Sequence, residues 1–177
     1  MPVVKDIAIQ QPVSAIKSGL CLNKLFLYKT AKEIDKGMNI NSLDRFLEAQ
    51  DRMYLVALRE LKNGKKRSHW MWYMFPQLRG LGTSTMAHKY GISGLGEAKA
   101  YLAHPVLSER LYKLCGELLK HKDKTALEIF GDIDETKLKS SMTLFALTSE
   151  DYTVFDEVLE NFFGGEMDEV TVKLING

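Results

Sequence analysis

The residues best suited to chemistry crowd into one stretch, Lys65-Lys66-Arg67-Ser68-His69-Trp70-Met71-Trp72-Tyr73-Met74-Phe75-Pro76-Gln77-Leu78-Arg79-Gly80-Leu81-Gly82, which holds both tryptophans of the chain. No other segment mixes so much apolar bulk with so many polar groups that need partners once buried. Between Glu60 and Glu97 there is no Asp or Glu, while Lys62, Lys65, Lys66, Arg67, Arg79 and Lys89 fall there with His69 and His88. An acid-free basic segment with glycines suits an anion, because bare backbone N–H groups at a helix start attract negative charge. The expected contacts are Arg79 and the Gly80 and Gly82 backbone for a phosphate, with His69, Gln77 and Ser84 as further polar groups. A competing account makes Lys62 to Arg67 a solvated helix end, its cations favoured by the helix dipole.

A second polar word lies far along the chain, Lys137-Leu138-Lys139-Ser140-Ser141-Met142-Thr143. Leu138, Met142 and Phe145 must face inward, which leaves Lys139 and Thr143, four apart, on one side. Surface helices favour long charged residues, so two serines and a threonine within four positions are poor choices unless they serve a neighbour. The expectation is that Lys139, Ser140 and Ser141 join the glycine loop in one site. The alternative is close helix packing, for which small residues let backbones approach.

Familiar signatures do not complete. Gly80-Leu81-Gly82 and Gly91-Ile92-Ser93-Gly94-Leu95-Gly96 lack the preceding strand and the spacing of a dinucleotide fingerprint. Gly64-Lys65-Lys66 lacks the upstream glycine of a phosphate loop, there is no GxSxG elbow, and Lys139-Ser140-Ser141 is not a Ser-x-x-Lys order. Cys21 and Cys115 form no CxxC pair, and His69, His88, His104 and His121 show no metal-ligand spacing, so no metal and no cofactor is expected. For an acid or base the sequence offers only Glu97, Glu128 and Asp134, none in a distinguishing context.

The elements that must hold these words read as helices. Leu43, Phe46, Leu47, Met53, Tyr54, Leu58 and Leu61 mark one face of a long helix, capped by Asn41 or Ser42 and ended by Asn63-Gly64, with Gln50 and Arg59 on the surface. Ser68 is placed to cap a short helix that Pro76 stops near Met74 or Phe75. Gln77 to Gly82 is a loop, and Thr83 or Ser84 caps a helix ending at Gly91. A helix over Leu95–Leu102 breaks at His104-Pro105, where another begins and runs to about His121. His104 is expected as a turn residue. Thr125–Phe130, a helix capped by Asp134, one over Phe155–Phe163 stopped by Gly164-Gly165, and a last turn capped by Asp168 complete an all-α, multihelical single domain. Near the amino terminus Leu22, Leu25, Phe26 and Ile34 suggest one amphipathic helix ending at Gly37.

With 177 residues, 45% hydrophobic, and a net charge of +1, the chain can build a core of its own. The charge is unevenly spread: residues 1–96 carry net +8 and the remainder net −7. No stretch approaches a membrane span or a signal peptide. A cytoplasmic protein with reduced thiols and no membrane partner is expected, and nucleic acid, which needs a concentrated basic face, is not the expected partner.

From about Ser42 to Leu174 the chain resembles a bacterial family catalogued as domain of unknown function 1810, at times mislabelled calpastatin. The matching words are Asp44-Arg45-Phe46, Lys66 through Trp72, Phe75 through Leu78, Gly80-Leu81-Gly82, Tyr90-Gly91-Ile92, Tyr101-Leu102 with His104-Pro105, Ile129-Phe130-Gly131, Lys137 through Phe145 and Phe163-Gly164-Gly165. The resemblance implies a compact helical domain over residues 39–177 behind an amino-terminal extension, 1–38, and no established activity. The order of helices is also loosely similar to helical domains that process NAD and ADP-ribose derivatives. The expected function is binding of a small anionic, nucleotide-like ligand, such as an ADP-ribose derivative. The alternative is a non-catalytic protein-interaction module.

Overall fold

The helical spacing of Leu43 to Leu61 does produce one long helix, α1, Asn41–Lys62, ended by Gly64 at φ 60°. A computed structural model describes residues 41–177, with side chains from Leu43 onward. The side chains of Asn41 and Ser42, expected to cap α1, are not among those described, and the helix expected over Leu22–Ile34 lies outside the described residues. Eight further helices follow: α2 Met71–Met74, α3 Thr85–Tyr90, α4 Leu95–Ala103, α5 Pro105–Leu118, α6 Ala126–Phe130, α7 Asp132–Thr148, α8 Val154–Phe163 and α9 Glu169–Asn176. The fold is all-α, with no strand among the described residues.

Local chemistry sets most boundaries. Ser84 caps α3 by accepting from Ala87 N. His104 is the cap of α5, its Nδ1 accepting from Val106 N and Leu107 N while Pro105 fills the first turn. Thr125 and Glu128 form a reciprocal capping box on α6, and Asp168 caps α9. Gly164 ends α8 in the left-handed region.

α7 is the centre. It packs against α4, α6, α8 and α9 and is buried nearly all round from Leu138 to Thr148. That burial explains part of its polar word. Ser140, Thr143 and Thr148 each donate to the carbonyl four residues back, so their hydroxyls are satisfied within the helix.

Three expectations are corrected. Ser68 does not cap α2, because its amide and hydroxyl both go to Glu60 and the helix begins only after Trp70. Asp134 lies inside α7 rather than before it, held by Lys66 and Lys137. Gln50 is buried, not on the surface: its amide donates to Tyr73 O (2.8 Å) and to the Tyr101 hydroxyl (2.9 Å), tying α1 to α2 and α4.

Candidate functional site

Glu60, in the last turn of α1, organises the aromatic stretch. One carboxylate oxygen accepts from Arg67 N (2.8 Å), Ser68 N (3.0 Å) and Trp70 Nε1 (2.8 Å), and the other accepts from the Ser68 hydroxyl. Burial alone would push this carboxyl up, but those four donors outweigh it and hold its pKa at about 2. The anion turns the chain back after Gly64 and fixes the Trp70 indole in the core, where the ring meets Phe75 and Phe130.

Beyond Pro76 the loop is pinned at its neck. Ile92 N donates to Gln77 O (2.8 Å) and Arg79 N donates to Ile92 O (2.7 Å), a single parallel bridge between Leu78 and Ile92. Gly91 must be glycine here, since a Cβ would come within 2.7 Å of Ala87 O and 2.9 Å of Arg79 Cα. Arg45 and Arg79 each donate to Gly91 O at 3.2 Å, and Arg45 also pairs with Glu97 at 2.6 Å.

The pinned loop forms one wall of a cleft of about 520 Å³, with Trp72, Gln77, Leu81, Gly82, Thr83, Ser84 and Ala87 on that side. The other wall is the first half of α7, with Ile133, Thr136, Lys137 and Ser140, closed by Asp168 and Val170 at the start of α9. Two ammonium groups share one carboxylate behind this wall: Lys66 and Lys137 both approach Asp134 at 2.6 Å. The trio therefore keeps one surplus positive charge, and Lys137 Nζ lies 4.6 Å from the Trp72 ring centre. Burial would raise the Asp134 carboxyl, but its bonds to Lys137 and Lys66 outweigh it and keep it below the usual carboxylate range. Gln77 lines the cleft, and its carboxamide makes no hydrogen bond among the described residues. Asp168, the one lining carboxylate among the described residues, accepts from Thr171 N (2.8 Å) and Thr171 Oγ1 (2.6 Å), and its own amide donates to Thr143 Oγ1 (2.8 Å).

Of the residues expected to bind ligand, Gln77, Gly82, Ser84 and Ser140 line this cleft together. Arg79 and Gly80 belong to the same loop and are exposed, outside the lining. His69 is exposed, its carbonyl accepting from the Tyr73 hydroxyl. Lys139 faces a neighbouring recess, paired with Glu166 at 3.1 Å, and Ser141 is fully buried in α7 with no partner for its hydroxyl. Sequence reasoning missed Trp72, Thr136, Lys137 and Asp168. Lys137 could have been found, since it sits one turn before Ser140 on the same helix side. The carboxylates considered for acid–base work are committed elsewhere: Glu97 to Arg45, Glu128 to its capping box, Asp134 to two lysines.

Comparison with known proteins gives two matches. The family described as protein of unknown function (DUF1810) matches residues 40–175. A crystal structure of the conserved hypothetical protein Rv1873 from Mycobacterium tuberculosis is similar at a TM-score of 0.75 and 46% identity, over 76% of this chain and 96% of that one. No curated protein matches.

Proposed function

The chain belongs to the DUF1810 family, whose description assigns no function, and from that premise we propose that the cleft binds a small anionic, nucleotide-like ligand such as an ADP-ribose derivative. The observation that carries this reading is the surplus positive charge of Lys66, Asp134 and Lys137 beside the Trp72 ring at the cleft wall. Part of that charge is withdrawn from bulk water, so it attracts an anion more strongly than an exposed lysine does. The Gln77 carboxamide, which makes no hydrogen bond among the described residues, adds a donor and an acceptor on the opposite wall, suited to the edge of a base or an amide. The Thr136 and Ser140 hydroxyls offer lone pairs to ligand hydroxyls while donating within α7. With the nearby carboxylates engaged, the reading is one of binding rather than of acid–base catalysis.

A thermal-shift series with ADP-ribose, AMP, ATP and inorganic phosphate tests it. A ligand at one hundred times its Kd should stabilise the fold by about 2.7 kcal/mol, a shift of several degrees. Lys137→Ala and Gln77→Ala should each abolish the shift, since Lys66 remains to neutralise Asp134 and the Gln77 carboxamide has no partner to lose among the described residues. A panel that moves the melting of neither parent nor variants, or a shift that survives both substitutions, would refute the reading.

A further inference from the structure

α1 and α5 run side by side in the same direction, and their carboxyl ends meet. Arg110 Nη1 lies 3.4 Å from Gln50 Oε1, and His121 Nε2, just past α5, lies 2.6 Å from Leu61 O. Both ties span 60 residues of sequence, as a parallel pair requires. Beyond the helices the two strands of chain are laced together again. Lys124 Nζ donates to Gly64 O (3.2 Å), and Lys65 Nζ donates to Glu128 O (2.8 Å).

This junction gathers cations that lie far apart in the sequence. Residues 59–67 and 113–128 together hold nine Lys and Arg against four Asp and Glu, net +5, in a chain whose total is +1. Two helix carboxyl ends attract cations, but their dipoles together amount to only about one negative charge. The excess is not neutralised within the described fold. The side chains of Arg59, Lys62 and Lys122 are exposed and make no hydrogen bond or ion pair among the described residues. Lys65 and Lys124 are held by backbone carbonyls, which position an ammonium group without cancelling its charge. Lys113 and Lys120 share one carboxylate, Glu117, at 3.4 Å and 2.7 Å. Glu60 and Glu117 are buried, which leaves Asp123 and Glu128 as the exposed acids of these two segments.

The character of this surface selects among anionic partners. Protein interfaces have apolar centres and are depleted in lysine, whereas nucleic-acid interfaces are polar and strongly positive. Of the large apolar side chains that are exposed, only Leu127 belongs to these segments. Neither segment contains Phe, Trp or Tyr, so there is no ring here on which an unpaired base could stack. A duplex presents its phosphates outward and needs no such ring.

We propose that this end of the molecule, with Arg59, Lys62, Lys65, Lys120, Lys122 and Lys124, binds the phosphate backbone of a nucleic-acid duplex without reading its sequence. None of these residues lines the cleft, so the proposal is independent of the small-ligand reading.

Fluorescence anisotropy of a labelled mixed-sequence DNA duplex, titrated with the full chain at several salt concentrations, tests it. Engaging about four phosphates should weaken binding about 150-fold between roughly 50 and 200 mM salt. Lys62→Gln/Lys122→Gln removes two exposed cations without partners among the described residues, so it should melt like the parent. It should lower the steepness of the log–log salt dependence by about two, equally for duplexes of different sequence. A duplex that stays unbound at about 50 mM salt overturns the proposal, as does a salt dependence that the double substitution leaves unchanged. Displacement of the duplex by polyglutamate at equal charge also overturns it, because the surface would then suit an acidic protein segment.

Discussion

Replacing Glu60 with Gln keeps the shape of the side chain and removes its charge. In the parent, four donors converge on one carboxylate, and the group's pKa falls from 4.5 to about 2. That depression corresponds to roughly 3 kcal/mol of preference for the folded state. A folded pKa below the unfolded one gives stability that is fully present above about pH 4.5 and lost as pH falls toward about 2. A Gln side chain can still accept from Arg67 N, Ser68 N and Trp70 Nε1, but as a neutral acceptor, with about half the strength per bond. The expected cost of Glu60→Gln at pH 7 is therefore about 2 kcal/mol, and that of Glu60→Ala, which strands the donors, about 4 kcal/mol. Urea unfolding at pH 7 and at pH 3 measures both. The gap between parent and Glu60→Gln should narrow by more than half at pH 3, because protonation of the parent has removed most of the advantage. A gap that is absent at pH 7, or equal at both pH values, would show that the carboxylate is not holding the turn.

Other outcomes follow from the same contacts. Trp70→Ala should destabilise by roughly 3–5 kcal/mol in a urea titration, since it empties a fully buried site between Phe75 and Phe130 and strands Glu60. Gln50→Leu should cost about 2 kcal/mol by the same assay, leaving Tyr73 O and the Tyr101 hydroxyl without their shared donor. A chain beginning at Met38 should still melt cooperatively in calorimetry, because the family match begins at residue 40 and the residues from Leu43 onward bury a core among themselves.

Helix ends were legible because their chemistry is local. Ser84, Thr125 and Asp168 cap, and Gly64 and Gly164 stop, through bonds within a few residues of themselves. Misreadings arose where a distant partner outbid the local one. Ser68 has the right chemistry for a cap, but a carboxylate eight residues earlier binds its hydroxyl and amide together. Gln50 sits among surface-looking neighbours, and only the arrival of Tyr73 and Tyr101 makes its burial affordable. The site was half legible for the same reason. That the glycine loop and the polar word of α7 would meet could be argued from composition. Which face of α7 would turn to the loop could not, and the helix presents Lys137 and Ser140 to the cleft while Lys139 and Ser141 turn elsewhere.

The bridge between Leu78 and Ile92 has a bearing on how such a protein can change over time. Two backbone hydrogen bonds close residues 77 to 92 into a ring whose neck is tied to the core, while its far side carries Gly82, Thr83 and Ser84 to the cleft. Backbone bonds at the neck do not depend on which side chains the ring displays. Lengthening an already closed loop costs little, about 0.6 kcal/mol for each doubling of its length. The ring can therefore accept substitutions at Leu81 and short insertions beside it, while Gly82 stays fixed because a Cβ there would come within 2.8 Å of Ala87 Cβ, so one helical core could present differently shaped walls to the same cleft.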